Sequence, residues 1–233
     1  MKKIIIALLC ALTAVVNAAD NKFSASVSSE YDTKSLNYGR TIATDAIASG
    51  VQGSYKLSNP VSQDFSINAG ITSFNDIHNY GSGYTLAPNI GVSGDVLSLP
   101  LHFNLDATYF SKDNGADNWF YSGKLAITDS KLVSPYLKMV WADNEGATKV
   151  DRYGGLIGIE RNFSWKTLTF HTYAEGGALN QYNVITAGGE VNWNVYKFVN
   201  VFAGAGYNWN STSSTSVDTY TGAFGNGGLR VKF

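Results

Sequence analysis

The sequence predicts an all-β fold: a transmembrane antiparallel up-and-down β-barrel of about 12 strands. Three observations carry that prediction. Apolar and polar residues alternate with period two along almost the whole chain, as they do on a strand with one face in each of two environments. The connections between alternating stretches are short and long by turns. The chain closes on Leu229-Arg230-Val231-Lys232-Phe233, an apolar/charged alternation ending on a bare aromatic.

The chain opens differently. Lys2-Lys3 is followed by an apolar stretch from Ile4 to Val16, broken only by Thr13, and then by Val16-Asn17-Ala18. Charge, apolar run and small residue before a cleavage point are the parts of a secretory leader. These 13 residues fall short of the roughly 20 that a spanning helix needs. Residues 1–18 are therefore expected to be removed, leaving 19–233 as a single outer-membrane β-barrel domain in a bacterial envelope. The one cysteine, Cys10, lies in the leader behind Leu8-Leu9 rather than behind the small residues of a lipidation site. The mature chain then has neither a disulfide nor a thiolate metal ligand.

No later apolar run is long enough for a helix to span, so a membrane would have to be crossed by a closed barrel. Charged residues make up 15% of the chain against roughly 25% for a soluble domain, which suggests that much of the surface faces something other than water. Without Lys2 and Lys3 the balance is 15 basic against 18 acidic, which does not favour nucleic acid as a partner.

The strands follow in order. Phe23, Ala25, Val27 and Tyr31 alternate with Ser24, Ser26, Ser28 and Glu30. Val51 to Leu57, Phe65 to Ile71, Ile90 to Gly94, Phe103 to Tyr109 and Trp119 to Ile127 repeat the pattern. So do Leu137 to Trp141, Tyr153 to Ile159, Leu168 to Ala174, Ile185 to Trp193 and Val201 to Trp209, and a last strand spans about 219–233. Short turns are expected at 58–63, 95–100, 129–134, 161–166 and 194–198. Longer loops are expected at 32–45, 74–84, 111–118, 142–152, 177–183 and 210–218. An even strand count puts both termini on the short-turn, periplasmic side. Tyr31, Tyr109, Trp119, Trp141, Tyr207 and Trp209 fall at the loop ends; Tyr55, Phe65, Phe103, Trp165, Trp193, Phe198 and Phe233 fall at the turn ends. These make two aromatic girdles about 25 Å apart, at the headgroup levels of a bilayer.

If the apolar face meets lipid, the other face lines the interior. Counting from the turns puts Asp106, Lys124 and Lys138 at similar heights on consecutive strands, with His171 and Glu190 on the next hairpin pair. Glu160 and Arg230 come out lower, Glu30 and Glu175 nearer the outside. The interior is expected to be polar and mixed in sign, with Asp106, Lys124, Lys138, Glu160, His171, Glu190 and Arg230 lining a pore. One carboxylate between two ammonium groups predicts a local preference for small anions, unless Glu160, Glu190 or a loop offsets the excess. The same residues could instead be internal ion pairs that close a narrow barrel. Outer-membrane lipid is the expected surroundings and small polar solutes the expected cargo. The barrel-assembly machinery and periplasmic chaperones are the expected partners in biogenesis, with Phe233 as the assembly signal.

Two alternatives stay open: a non-conducting structural or adhesive barrel, and an outer-membrane lipid hydrolase. The histidines, His78, His102 and His171, show no compact His-Ser-acid spacing, so no catalytic residue is assigned. Asp143, Glu145 and Asp151 read as a solvated acidic loop rather than a metal site. The glycine pairs at 154–155, 188–189 and 227–228 lie on strands with no following helix, so they are not phosphate loops. No cofactor is expected.

From Ser28-Ser29-Glu30-Tyr31 through Gly39-Arg40, with Gly50-Val51-Gln52-Gly53 following, the chain resembles small TorF-like porins, which open on a Ser-x-x-Tyr strand and an Arg-containing first loop. It departs from them at Asp32-Thr33, where an aromatic or Val and then Arg-Gly is more usual. The resemblance implies a porin-like barrel of the outer membrane and carries over no catalytic residue.

Overall fold

A computed structural model describes residues 22–37, 40–57, 65–77, 84–96, 99–112, 118–128, 132–144, 151–180, 182–212 and 220–233. The expected leader with Cys10, together with His78 and Glu145, lies outside the described residues. Twelve strands are described: β1 (Phe23–Asn37), β2 (Arg40–Leu57), β3 (Phe65–Asp76), β4 (Tyr84–Asp95), β5 (Leu101–Lys112), β6 (Asn118–Ile127), β7 (Ser134–Asn144), β8 (Arg152–Trp165), β9 (Leu168–Leu179), β10 (Tyr182–Tyr196), β11 (Val199–Thr212) and β12 (Gly222–Lys232). Each pairs antiparallel with its sequence neighbour, and β12 pairs with β1, so the sheet closes into a barrel with no edge.

The closing seam runs from Ser26 opposite Lys232 to Asp32 opposite Asn226. The last residue takes part: Phe233 N donates to Ala25 O at 2.8 Å, and Ala25 N donates to Phe233 O at 3.2 Å. Both ends of the described chain therefore lie at one end of the barrel, the near end; the β1–β2 hairpin marks the far end.

The alternation read from the sequence sets the two faces. Ile157 is 71% exposed and Met139 67%, and Ile90, Leu105 and Leu137 also point outward. So continuous an apolar outer surface is far larger than water-facing proteins carry. At its far rim the rings of Tyr109, Trp119, Tyr121 and Trp141 form a chain with centroids 5.1, 6.0 and 5.0 Å apart. At the near rim Phe163 stacks on Phe170 at 4.6 Å and Tyr196 meets Phe198 edge-on at 5.0 Å.

Three connections differ from expectation. The loop expected at 32–45 is mostly strand, because β1 and β2 stay paired up to Asn37 opposite Arg40. Most of the loop expected at 177–183 is strand: β9 runs to Leu179 and β10 starts at Tyr182, the two residues pair, and both are buried inside the barrel. The turn expected at 161–166 lies at Lys166-Thr167, with Lys166 in the left-handed region at φ 55° and β8 running on to Trp165.

The interior is not polar throughout. Phe110, Phe120, Val140, Ala142, Leu156, Leu179, Tyr182 and Val184 point inward in the far half of β5–β10 and pack together with Ala87 and Phe74. Leu156 is 0% exposed and Val184 2%, so water does not reach this wall. Period-two counting does not find such a layer where an inward apolar residue has apolar neighbours along the strand, as Phe120 has in Trp119 and Tyr121 and Val140 has in Met139 and Trp141. The layer packs by pairing large with absent side chains. Gly177 stands opposite Leu156 and Gly154 opposite Leu179, and a Cβ on either glycine would run into backbone of the adjoining strand.

Candidate luminal site

Below and beside the apolar layer lies a cavity of about 560 Å³ lined by charged and polar side chains. Its geometry is built from register. Lys124 and Lys138 face each other directly across β6 and β7. Two ammonium groups at one level repel, and each turns to a carboxylate on a later strand. Lys124 Nζ lies 2.6 Å from Glu160 Oε2 on β8, and Lys138 Nζ lies 2.6 Å from Glu175 Oε2 on β9.

Tyr136 ties the two pairs together. It stands opposite Gly158, and a side chain there would collide with its ring. The missing side chain lets the phenol cross β8 and donate to Glu175 Oε2 at 2.8 Å. Lys124 Nζ sits 4.3 Å above the centre of the same ring, close enough for a cation–π contact. His171 Nε2 lies 3.6 Å from Glu160 Oε2.

The opposite wall is acidic. His171 pairs in register with Glu190 on β10, whose carboxylate accepts from Asn192 Nδ2 at 2.7 Å. Glu30 on β1 accepts from Asn226 Nδ2 at 3.3 Å, and the charges of Asp32, Arg230 and Glu190 all act on it. Of the formally charged side chains lining the cavity, Glu30, Asp32, Glu160, Glu175 and Glu190 are anionic and Lys34, Lys124 and Lys138 cationic.

Five of the seven residues expected along a pore, Lys124, Lys138, Glu160, His171 and Glu190, line this cavity; Asp106 and Arg230 do not. The expected grouping of Asp106 with the two lysines is corrected. Asp106 pairs with Ser122, two residues from Lys124 along β6, and its carboxylate packs over Gly91 on the other side. Arg230 lays its guanidinium 4.8 Å over the Phe202 ring. Glu30 and Glu175, counted as nearer the outside, belong to the cavity: strand tilt brings positions of different count to one level. The sequence reading also missed Asp32, Lys34, Tyr136 and Asn226. The usable signal was an inward glycine opposite an inward tyrosine, which marks a side chain crossing a strand.

The two histidine–carboxylate contacts among the described residues are self-contained. His102 Nδ1 lies 2.7 Å from Asp95 Oδ1 at the near mouth, and His171 lies with Glu160; neither involves a serine. Among the described residues no three His, Cys, Asp or Glu side chains converge as a metal site would require.

No protein-family model matches the sequence, and no curated protein matches it. Solved structures do share the fold. The KdgM porin superposes with a TM-score of 0.55 at 10% identity over 89% of this chain and 99% of that one. The KdgM porin in complex with disordered oligogalacturonate gives 0.54 at 10% identity, over 90% of this chain and 99% of that one. The NanC porin gives 0.53 at 7% identity, over 90% and 100%.

Proposed function

We infer that the chain is a porin-like barrel of the bacterial outer membrane whose luminal cavity passes small polar solutes or ions. The observation that carries this reading is a charged cavity within a closed barrel whose outer surface is apolar. Burying eight charged side chains is costly, and a barrel serving only as a membrane anchor could fill that space with apolar side chains. The aromatic rims and the shared near end of the two termini fit an outer-membrane orientation with the near end in the periplasm. The porin architecture of the structural neighbours supports the same reading, and the residues at 28–53 support a tie to TorF-like porins.

The carboxylates offset the two lysines, and the reading turns toward cations. Lys124 and Lys138 are each neutralised by a glutamate, and among the described residues the cavity holds five carboxylates against three ammonium groups. The pore therefore favours cations. Planar-bilayer recording of the refolded barrel should show discrete openings whose reversal potential, under a salt gradient, shifts toward that of the cation. Anion preference would reject the charge argument; no openings in the wild type or in the loosened variants described below would reject the channel. The second reading, a non-conducting structural barrel, draws on the apolar layer that fills the far half of β5–β10.

Assembly is expected to use the leader, the periplasmic chaperones and the barrel-assembly machinery, with Phe233 as the recognised end. Deleting Phe233 removes two backbone bonds of the seam. The amount of heat-modifiable protein in outer-membrane fractions should fall, and unchanged levels would sink the assignment.

A further inference from the structure

The cavity climbs toward the far end along one wall only. On β5–β9 the apolar layer stops it, and on β10 the lining ends at Thr186, below Val184. On β1, β11 and β12 its lining continues upward through Asp32, Lys34, Asn208 and Phe224. Beside that route stands the segment Tyr220–Gly222, which leads into β12. The Tyr220 carbonyl accepts from the side-chain amides of Asn208 and Asn210, both on β11. Asn210 N donates to Thr221 Oγ1 at 3.0 Å. Lys34 Nζ stands 4.9 Å from the centre of the Tyr220 ring. Asn208 is 0% exposed, held between the Tyr220 carbonyl and Thr186 of β10, whose hydroxyl donates to Asn208 Oδ1 at 2.6 Å.

The closing seam changes character at the same level. The β1–β12 ladder ends at Asp32 opposite Asn226, while β12 stays paired with β11 up to Gly222 opposite Asn208. Above the ladder, Thr33 of β1 reaches β12 through its hydroxyl: Thr33 Oγ1 accepts from Gly225 N at 2.9 Å and donates to Gly225 O at 3.2 Å. The segment is therefore held by polar contacts that water can replace, on a strand end whose outer neighbour is not laddered. The wall across the lumen is held by apolar packing, which water cannot replace.

We propose that Tyr220–Gly222 is a strap that closes the far end of the cavity and releases to open it, while the apolar layer on β5–β10 stays fixed. This rests on the reading of the cavity as a solute path. Asn226 lines the cavity beneath the strap, so Asn226→Cys reports access, read against the parent chain for background. A charged, membrane-impermeant thiol reagent added from the far side should label it slowly. Labelling should be at least about tenfold faster with Asn208→Ala and Asn210→Ala, and single-channel open time should rise in the same background. Leu156→Ala, in the apolar layer, should leave the labelling rate unchanged. If the alanine pair yields no heat-modifiable barrel, the near-isosteric Asn208→Asp with Asn210→Asp removes the same donors and is read in the same way. Equal labelling in strapped and loosened barrels overturns the strap, as does an equal acceleration by Leu156→Ala. Faster labelling with no current in any variant keeps the strap and rejects the channel.

Discussion

Two walls face one lumen and are built on different terms. Along β5–β10 the far half is apolar and the near half is ion-paired, with Leu156, Leu179 and Val184 above Lys124–Glu160 and Lys138–Glu175. Along β11, β12 and β1 the inward positions are mainly Asn, Gly, Ser and acidic residues, closed at the top by a backbone segment that side-chain amides hold. The first wall satisfies its members with one another. The second satisfies them through groups that water could replace. That contrast assigns stability to the first and adjustment to the second, and it can be broken at several points.

The largest expected effect is at Gly177. A side chain there meets the carbonyl of Gly155 and the Cα of Leu156, which are backbone and cannot swing aside. Gly177→Leu should cost about 3 kcal/mol or more and leave little heat-modifiable protein. Normal yield would mean that the apolar wall is looser than its burial implies.

Next come the ion pairs, which should rank by exposure. The Lys138–Glu175 side chains are 18% and 12% exposed and those of Lys124–Glu160 28% and 20%. Lys138→Met strands the better-buried carboxylate and should cost about 3 kcal/mol in urea unfolding from vesicles. Lys124→Met should cost about half of that, since Glu160 keeps His171 and more water. An inverted order would show that Tyr136, not the lysine, is what satisfies Glu175.

Glu190, on β10 next to β11, tests where the first wall gives way to the second. Its carboxylate contacts Asn192 rather than a lysine among the described contacts, so Glu190→Gln should lower cation preference while leaving the unfolding midpoint nearly unchanged. A large loss of stability would move Glu190 into the structural wall. The smallest effect belongs to the outer rim. Trp119 meets Tyr109 and Tyr121 in the ring chain, and Trp119→Leu should cost about 1 kcal/mol with selectivity unaltered.

Much of the barrel was legible because its cause is local. Alternation with period two needs only neighbouring residues, and it gave the strands, their outward faces and the terminal Phe233. The turn at Lys166-Thr167 and the strand ends at Leu179 and Tyr182 were misread because the residues around them are polar enough for loops; pairing across strands keeps them extended. The candidate site was half legible. Lys124 and Lys138 were placed at one level correctly, since they sit on one hairpin and register follows from the turn. Their partners were not, because Glu160 and Glu175 lie on strands whose height depends on tilt around the whole barrel.

The sequence by itself determined that this chain alternates, that the apolar side faces outward and that charges face in, because side-chain direction on a strand is fixed by parity. Only the tertiary structure decided which inward groups meet. Closure sets the stagger between strands, and stagger turned a group of Asp106, Lys124 and Lys138 into two lysine–glutamate pairs joined by Tyr136. Closure also left the far end of the β1–β12 seam without a ladder, which is where the Tyr220 segment lies.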